Sequence, residues 1–569
     1  MAATTGTDFH RLPRAERDRI AQARAEVGET SVTPAVARLL VAAFVAALAL
    51  PHVSQLLASP GFYRELGGGR VALADRPLAD GLPLASIRAA NRALLARATA
   101  IEDGLADESV IGRRIRPIVQ SAMTAWLGAG TAQVEIGDGG WLFYRPDLDH
   151  VTGPGFLEPR VLRRRAAAGD TLAAARAPDP RPALAAFQRQ LAQRGIRLIV
   201  APIPVKPSAD PDRVGGSARF AAPVVPNRSW MAFLADLDAA GVTVFDAFTS
   251  LAELRVEGAG PLYLATDTHW RPATMQRVAA DLARFIEASI MLAPRRDGHV
   301  TRAVDVTNDG DTARLLELGP RQARYPPETV ATRRVETVSG EPWQPSRNAE
   351  VLLLGDSFTN VYALDALGWG VGAGLAEQLA VELERPVDRI AQNDQGALAP
   401  RRLFAAALAR EPQRFAETRV VVYQFAAREL SQGDWAIVDL PPAGPAPAPG
   451  TIGFWPPVAA RATIEATVAA AGFVPRPGSV PYRDHVVAIH LNAIDVIDGP
   501  AEGAGLDAVV YVRSMIDNEL TEAASWRPGD RVRLALQPWA DVAPELDGIN
   551  RGELSDPALL LVEPWWGVP

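Results

Sequence analysis

The segment VLLLGDSF, at residues 351–358, decides the fold, because a short apolar strand ends there in a glycine turn that carries a serine. Four apolar residues in succession are typical of a strand buried on both faces of a parallel sheet. Ligands bind at the carboxyl ends of such strands, so Ser357 lies where a nucleophile is useful. A second interpretation stays open, in which this is an ordinary strand-to-helix turn and the serine caps the next helix.

Strand and helix patterns alternate on both sides of this segment. Apolar, β-rich runs predict strands, and patterns of 3.6-residue period predict helices between them. The strands are expected at residues 197–205, 242–248, 387–391 and 420–425, and the helices at residues 182–194, 229–239, 271–288, 375–383 and 400–415. This order predicts an α/β, three-layer domain with a parallel sheet over residues 131–436. A polar insertion at residues 289–350 is expected to form a subdomain beside the site.

The N-terminal region carries one strongly apolar segment. Residues 39–57 contain no charged side chain, and residues 39–50 are entirely apolar. This predicts a transmembrane anchor at residues 34–57, between a cytoplasmic arm (1–33) and a helical connector (58–130). The arginines before the anchor favour an orientation that places the remaining chain outside the cytoplasm. The alternative is a buried helix of a soluble domain.

The C-terminal region differs in character from the α/β domain. A Pro/Ala-rich linker at residues 437–450 ends the strand–helix alternation, because such a composition stays extended and solvated. Alternating runs at residues 486–496, 508–513 and 531–536 then predict strands. Residues 451–569 are therefore expected to form a small β barrel or sandwich, which is a candidate carbohydrate-binding domain.

The composition excludes several classes of protein. The net charge is −8 and no basic stripe is present, which argues against a nucleic-acid-binding protein. The chain has no cysteine, so a disulfide framework, a thiol nucleophile and a thiolate metal site are excluded.

The segment TDTHW, at residues 266–270, is the second chemical signal. A serine hydroxyl needs a base to remove its proton, and a neutral imidazole such as that of His269 suits this role near neutral pH. Asp267, two residues earlier, is suited to hold the imidazole in one tautomer. The alternative is that Asp267 caps the helix that begins near Arg271. We expect neither a metal nor a cofactor, because no second histidine lies at ligand spacing from His269.

Five segments in this order resemble the alginate O-acetyltransferase proteins of AlgJ/AlgX type, which carry an SGNH-hydrolase-like domain. They are DGGWLFY (138–144), PIPVKP (202–207), TDTHW (266–270), LLGDSF (353–358) and QFAARELSQGDW (424–435). In that family the Asp and His of the segment that matches TDTHW and the Ser of the segment that matches LLGDSF form a catalytic triad. The resemblance therefore implies catalytic roles for Asp267, His269 and Ser357, in an order permuted relative to ordinary GDSL esterases.

The resemblance also implies a function and its setting. It implies O-acetylation of an exported polysaccharide through an acetyl-serine intermediate, with a membrane-bound O-acyltransferase partner as the acetyl donor. The protein would be a single-pass inner-membrane protein with a periplasmic catalytic domain. Two alternatives stay open: an acetylesterase that uses the same triad, and a non-catalytic assembly protein that binds polysaccharide.

Other side chains are weaker candidates for the site. Asn393 and Gly396 follow a predicted strand and are candidates for the oxyanion hole. Arg428 either binds a substrate carboxylate or pairs with a nearby acid, and Trp270 is a candidate for substrate binding. Lys206 either contacts an acidic sugar or lies on the surface.

Overall fold

In the computed structural model, the described residues are 33–58, 109–167, 177–215, 224–294, 298–441, 453–457, 461–477, 480, 482–546, 548–554, 556 and 559–569, with single positions 19, 98 and 102. The cytoplasmic arm and most of the connector therefore lie outside the described residues, as do residues 442–450 of the linker. The chain divides into two compact units, residues 1–119 and residues 120–569. The predicted domain boundaries stay predictions.

One described helix, α1 (Pro34–Ala58), has the length and apolar composition of a membrane span. It covers the segment predicted as the transmembrane anchor. The helix α2 (Val110–Leu127) lies in the C-terminal part of the predicted connector.

The α/β region follows the predicted alternation, with additions. Its strands are β1 (Val134–Ile136), β2 (Leu142–Tyr144), β3 (Arg197–Ile203), β4 (Thr243–Val244), β5 (His299–Asn308), β6 (Glu328–Thr337), β7 (Val351–Gly355), β8 (Val387–Ala391) and β9 (Val420–Ala426). Its α-helices are α3 (Arg145–Thr152), α4 (Pro159–Ala167), α5 (Pro180–Ala192), α6 (Lys206–Ala209), α7 (Trp230–Ala239), α8 (Ala247–Val256), α9 (Pro272–Ser289), α10 (Asp311–Leu315), α11 (Ser357–Asn360), α12 (Leu375–Leu383), α13 (Leu398–Arg410) and α14 (Glu429–Gln432).

Five of these strands form a parallel sheet in the order β4-β3-β9-β7-β8. Alternate residues of β7 enter two separate cores: Leu353 packs with α9 and α12, and Leu352 and Leu354 pack with α5, α7 and α13. Apolar side chains on both faces explain why the strand is continuously hydrophobic. The three-layer prediction is confirmed.

The strand predicted at residues 242–248 is too long, and this part of the prediction is wrong. Only Thr243 and Val244 pair with β3, and α8 begins at Ala247. Asp246 caps that helix, because its Oδ1 accepts a hydrogen bond from the Phe248 amide at 3.1 Å.

The C-terminal region forms a β barrel, as predicted. Its elements are β10 (Ala462–Ala471), β11 (His485–Asp498), β12 (Ala508–Ile516), β13 (Glu519–Leu520), β14 (Arg531–Pro538), α15 (Trp539–Leu546), β15 (Asn550–Gly552) and β16 (Trp565–Val568). The strands follow the order β13-β12-β16-β14-β10-β11-β15, and an additional pairing of β12 with β11 closes five of them into a ring. The apolar core inside includes Ile464, Val487 and Trp565.

Candidate active site

The site lies at the carboxyl edge of the parallel sheet, where the ends of β3, β7, β8 and β9 meet. Ser357 follows β7, and Arg428 follows β9. Because parallel strands end at the same edge, these residues come together although they are distant in the sequence.

The turn that carries Ser357 is held by buried side chains. Asp356 caps α11: its Oδ1 accepts hydrogen bonds from the Phe358 amide at 2.9 Å and from Gln424 Nε2 at 2.8 Å, and its Oδ2 accepts from the Ala426 amide at 2.6 Å. The interpretation in which Ser357 caps the helix is therefore wrong. Its hydroxyl is not committed to a cap.

Glycine is required at position 355 because two side chains approach the backbone there. A Cβ atom on Gly355 would lie 2.1 Å from Thr359 Oγ1 and 2.9 Å from Gln424 Oε1. Those two atoms are hydrogen bonded to each other at 2.6 Å and belong to buried residues, so neither moves away easily.

Asp267 and His269 form a buried hydrogen-bonded pair. Nδ1 of His269 lies 2.6 Å from Asp267 Oδ1, and because a carboxylate only accepts, Nδ1 is the donor. The second carboxylate oxygen accepts hydrogen bonds from Trp369 Nε1 at 2.8 Å and from the Asp311 amide at 2.9 Å. Nε2 of His269 is buried and has no hydrogen-bond partner in the described part of the chain. This nitrogen is therefore available to accept a proton.

The charges of the pair are set by burial and by proximity. Burial alone would lower the pKa of His269, but the adjacent Asp267 carboxylate, helped by Asp311, outweighs it and raises this pKa. Burial alone would raise the pKa of the Asp267 carboxyl group. The adjacent imidazole and the hydrogen bonds outweigh burial and lower this pKa. Asp267 therefore stays ionised beside the imidazole.

The serine turn packs against the loop that carries His269. The ring centroid of Phe358, the residue after Ser357, lies 4.9 Å from that of His269 and 5.4 Å from that of Trp270. The hydroxyl of Tyr362 donates to the Trp270 carbonyl at 2.6 Å. These contacts bring the serine segment and the histidine segment together at one edge of the sheet.

Lys206 donates hydrogen bonds to the loop that carries His269, and the prediction of a surface lysine is wrong. It is fully buried, and its ammonium donates to the carbonyls of Leu142, Ala265 and Asp267 at 2.5, 2.8 and 3.0 Å. Burial lowers its pKa to about 8. Lys206 is also the only lysine in the sequence. An ammonium offers three donors in a compact arrangement, whereas a guanidinium is a planar fork. This difference explains a lysine here in a chain that otherwise uses arginine.

Asp311 is a site residue that the sequence did not reveal. It lies in the insertion, and it accepts hydrogen bonds from the Thr268 amide at 2.8 Å and from the Thr268 hydroxyl at 2.5 Å. Its Oδ2 lies 3.8 Å from His269 Nδ1. Gly310 permits the contact, because it has a φ of +88° and a Cβ there would lie 2.1 Å from the Thr266 carbonyl oxygen. The Gly-Asp pair before a short helix was the available signal.

Comparison with known proteins identifies the family. A family model described as the SGNH hydrolase-like domain of the acetyltransferase AlgX matches residues 134–427, which is more than half of the chain. The chain belongs to this family. The resemblance to AlgJ and AlgX that the motifs indicated is thereby confirmed.

Two curated relatives are both named probable alginate O-acetylase AlgJ. The Pseudomonas aeruginosa protein is 32% identical over 173 residues, which are 30% of this chain and 43% of that protein. The Azotobacter vinelandii protein is 26% identical over 248 residues, which are 42% of this chain and 60% of that protein. The chain thus spans about half the length of these relatives.

Two solved structures are similar in part. The O-acetyltransferase domain of Pseudomonas putida AlgJ is 20% identical, with a TM-score of 0.40, and the match covers 53% of this chain and 93% of that one. Pseudomonas aeruginosa AlgX is 15% identical, with a TM-score of 0.37, and the match covers 71% of this chain and 90% of that one.

Within this AlgX-type domain, Arg428 pairs with an acid, which is one of its two predicted roles. Its Nη1 lies 3.1 Å from Oδ1 of the fully buried Asp147. Burial opposes the charge of Arg428, but the carboxylates of Asp147 and Glu429 outweigh it and raise the pKa of the guanidinium. The positive charge of Arg428 therefore offsets the negative charge of these buried carboxylates. The guanidinium lies 5.9 Å from the ring centroid of Phe358.

The weaker candidates have other contacts. Asn393 Nδ2 donates one of its two hydrogens to Asn550 Oδ1 at 2.5 Å, and its role in an oxyanion hole stays a prediction. Gly396 has a φ of +63° and lies against Glu429, where a Cβ would come within 2.3 Å of Oε2. Trp270 is fully buried behind Phe358 and offers a substrate no ring face. A role for Gly396 in the oxyanion hole and a role for Trp270 in substrate binding stay predictions.

Three potential metal ligands lie together in the AlgX-type domain. Ligand atoms of Asp267, His269 and Asp311 are all within 4.8 Å of one another. Their facing atoms are already hydrogen bonded, since Asp267 Oδ1 holds Nδ1 and Asp311 Oδ2 holds the Thr268 hydroxyl. A metal would have to displace these bonds, so the donor set fits a hydrogen-bonded network better than a coordination sphere.

Proposed function

We propose that this protein is an O-acetyltransferase that modifies an exported polysaccharide through an acetyl-Ser357 intermediate. The observation that carries the proposal is the buried Asp267–His269 pair, whose unshared Nε2 lies in the loop that packs on the Ser357 turn. Membership of the AlgX family supports acetyl transfer as the reaction class.

The first half-reaction forms the acetyl-enzyme. Nε2 of His269 accepts the Ser357 proton as the hydroxyl oxygen attacks the acetyl carbonyl carbon, and the Asp267 carboxylate stabilises the imidazolium. When the tetrahedral intermediate collapses, the bond to the donor breaks, and His269 returns the proton to the leaving group. The acetyl ester on Ser357 remains.

The second half-reaction transfers the acetyl group to a sugar. His269 removes the proton of a sugar hydroxyl, whose oxygen attacks the ester carbonyl, and the proton then returns to Ser357. Transfer wins over hydrolysis if the acceptor is held in place and water is excluded. Ser357 and His269 are almost fully buried, at 5% and 3% exposure, which favours such exclusion.

The setting of this reaction is also a proposal. The α1 helix would anchor the protein in the inner membrane with the catalytic domain in the periplasm. A membrane-bound O-acyltransferase would deliver the acetyl group. The acceptor is an extracytoplasmic polysaccharide, of which the alginate named in the relatives is one candidate.

A burst experiment tests the proposal. With an aryl acetate ester, the wild-type protein should release one equivalent of aryl alcohol rapidly, and mass spectrometry should find an acetyl group on Ser357. The Ser357→Ala variant should show neither. Equal behaviour of both proteins would support the non-catalytic assembly role instead. If oligosaccharide acceptors yield only free acetate and no acetylated sugar, the protein is an esterase.

A further inference from the structure

The loop at residues 392–395, which follows β8, contacts the nucleophile turn on both sides of Ser357. The Gln392 amide donates to the Gly355 carbonyl at 3.0 Å, two residues before the serine. Asn360 Nδ2 donates to Asn393 Oδ1 at 2.8 Å, three residues after it. The position of this loop is therefore linked to the position of the serine.

All four side chains of the same loop also form hydrogen bonds with residues of the C-terminal β barrel. Asn393 Nδ2 donates to Asn550 Oδ1 at 2.5 Å, and Tyr482 Oη donates to Asp394 Oδ2 at 2.5 Å. Gln392 and Gln395 both donate to the Arg551 carbonyl, at 2.7 and 3.3 Å. The barrel thus bonds to every residue of the loop.

The barrel partners are themselves rigidly placed. Tyr482 and Asn550 are almost fully buried, at 1% and 4% exposure. Asn550 begins β15, which pairs with β11. Burial and the neighbouring Asp394 carboxylate raise the pKa of the Tyr482 hydroxyl, so it keeps its proton and remains a donor.

The loop needs external support, because its backbone is unusual. Gln395 has a φ of +62° and is followed by Gly396 at +63°. The left-handed region is unfavourable for a residue with a Cβ and persists where surrounding contacts hold it. The side chain of Gln395 has such a contact with the barrel, through the Arg551 carbonyl.

From these contacts we infer that the C-terminal β barrel positions the Ser357 turn through the 392–395 loop, with Tyr482 and Asn550 as positioning residues. The inference rests on the proposed function and extends it. The barrel then sets the rate of serine acetylation, whether or not it also binds polysaccharide.

The test uses full-length protein and a small aryl acetate ester, which needs no polysaccharide acceptor. Tyr482→Phe removes only the hydroxyl, and Asn550→Ala and Asn393→Ala remove the two ends of one hydrogen bond. Each should lower the acetylation rate about tenfold with little change in KM, and by more than the accompanying fall in Tm explains. The Asn393→Ala/Asn550→Ala double variant should be no slower than Asn393→Ala alone, because Asn393→Ala already removes the bond to Asn550 together with the bond from Asn360. Arg483→Ala, at an exposed position beside Tyr482, is the control and should behave as wild type.

Amide hydrogen exchange at residues 355–360 gives a second readout that does not depend on catalysis. Exchange should be faster in Tyr482→Phe and Asn550→Ala than in wild type and Arg483→Ala. Unchanged exchange and unchanged acetylation rates in both variants would overturn the inference, and a loss confined to polysaccharide transfer would make the barrel only an acceptor-binding domain. If wild type shows no Ser357-dependent burst, the proposed function fails, and the exchange data still decide whether the barrel positions the turn.

Discussion

The ammonium of Lys206 donates a hydrogen bond to the backbone carbonyl of Asp267 at 3.0 Å, while the carboxylate of the same aspartate binds His269. Lys206 holds the backbone of Asp267, and the side chain of Asp267 holds the imidazole, so both contacts fix the orientation of His269. The two other carbonyls on the ammonium belong to Leu142 and Ala265, so a single cation joins three sequence motifs.

Replacement of Lys206 should impair catalysis more than folding. Lys206→Met relieves a buried charge but removes the ammonium from three carbonyls, of which that of Ala265 keeps the Leu142 amide as a donor. Each carbonyl left unsatisfied costs about 1–3 kcal/mol. We expect a fall in Tm of several degrees and a loss of acetylation rate of at least about tenfold. Lys206→Arg should not restore the rate, because a planar guanidinium does not match the three carbonyls. An active Lys206→Met protein with wild-type rates would contradict this role.

The pH dependence of acetylation should report the raised pKa of His269. The base must be neutral, so the rate should fall as the pH drops through a value above the ordinary histidine pKa of about 6.5. In Asp267→Asn the carboxylate is absent and burial dominates, so the acidic limb should move to lower pH. The plateau rate should fall by about 10³–10⁴, as expected when the tautomer is lost.

The control for this shift is Asp305→Asn, which removes the same charge from an exposed position on β5. Its pH profile should match that of wild type. A limb that stays in place in Asp267→Asn would assign it to another group.

Two substitutions at Asp311 should separate its charge from its hydrogen bonds. Asp311→Asn keeps an acceptor for the Thr268 amide and removes a charge that raises the His269 pKa, so the acidic limb should move slightly to lower pH. Asp311→Ala leaves the buried amide and hydroxyl of Thr268 unpaired and should cost about 1–3 kcal/mol in unfolding free energy. Denaturant unfolding and pH–rate profiles measure the two effects. Equal unfolding free energies and equal pH–rate profiles of the two variants would contradict separate roles for the charge and the hydrogen bonds of Asp311.

Gly355→Ala should disturb the nucleophile turn directly. The added methyl would meet Thr359 Oγ1 at 2.1 Å, and overpacking of this kind costs about 1–3 kcal/mol. The acetylation rate should fall further than stability alone explains, since the shift is passed to Ser357. Gly260→Ala, where a Cβ meets nothing within 4 Å, is the matched control and should change stability by less than about 0.5 kcal/mol.

The sequence predicted the strands of the sheet well, because buried parallel strands are continuously apolar. The expected strand at residues 387–391 coincides with β8, and the expected strand at 420–425 with most of β9. The strand expected at residues 242–248 is shorter in the structure, because Asp246 caps a helix that begins at Ala247.

The site was predictable only where its partners are close in sequence. Asp267 and His269 are two residues apart, and their contact follows from local geometry. Asp311 lies 44 residues beyond Asp267, and its bond depends on how the insertion folds back. The burial of Lys206 could not be predicted, because its acceptors lie in strand β2 and in the loop that carries His269, which are both far from it in sequence. Its status as the only lysine is nevertheless visible in the composition.

The bonds between the 392–395 loop and β15 also bear on how this architecture is inherited. A chimera that carried the C-terminal barrel of another family member would replace Asn550, which bonds to the loop. We therefore expect productive chimeras to require residues 392–395, Tyr482 and Asn550 from the same parent, so that loop and barrel must be transplanted together although the linker divides them in sequence.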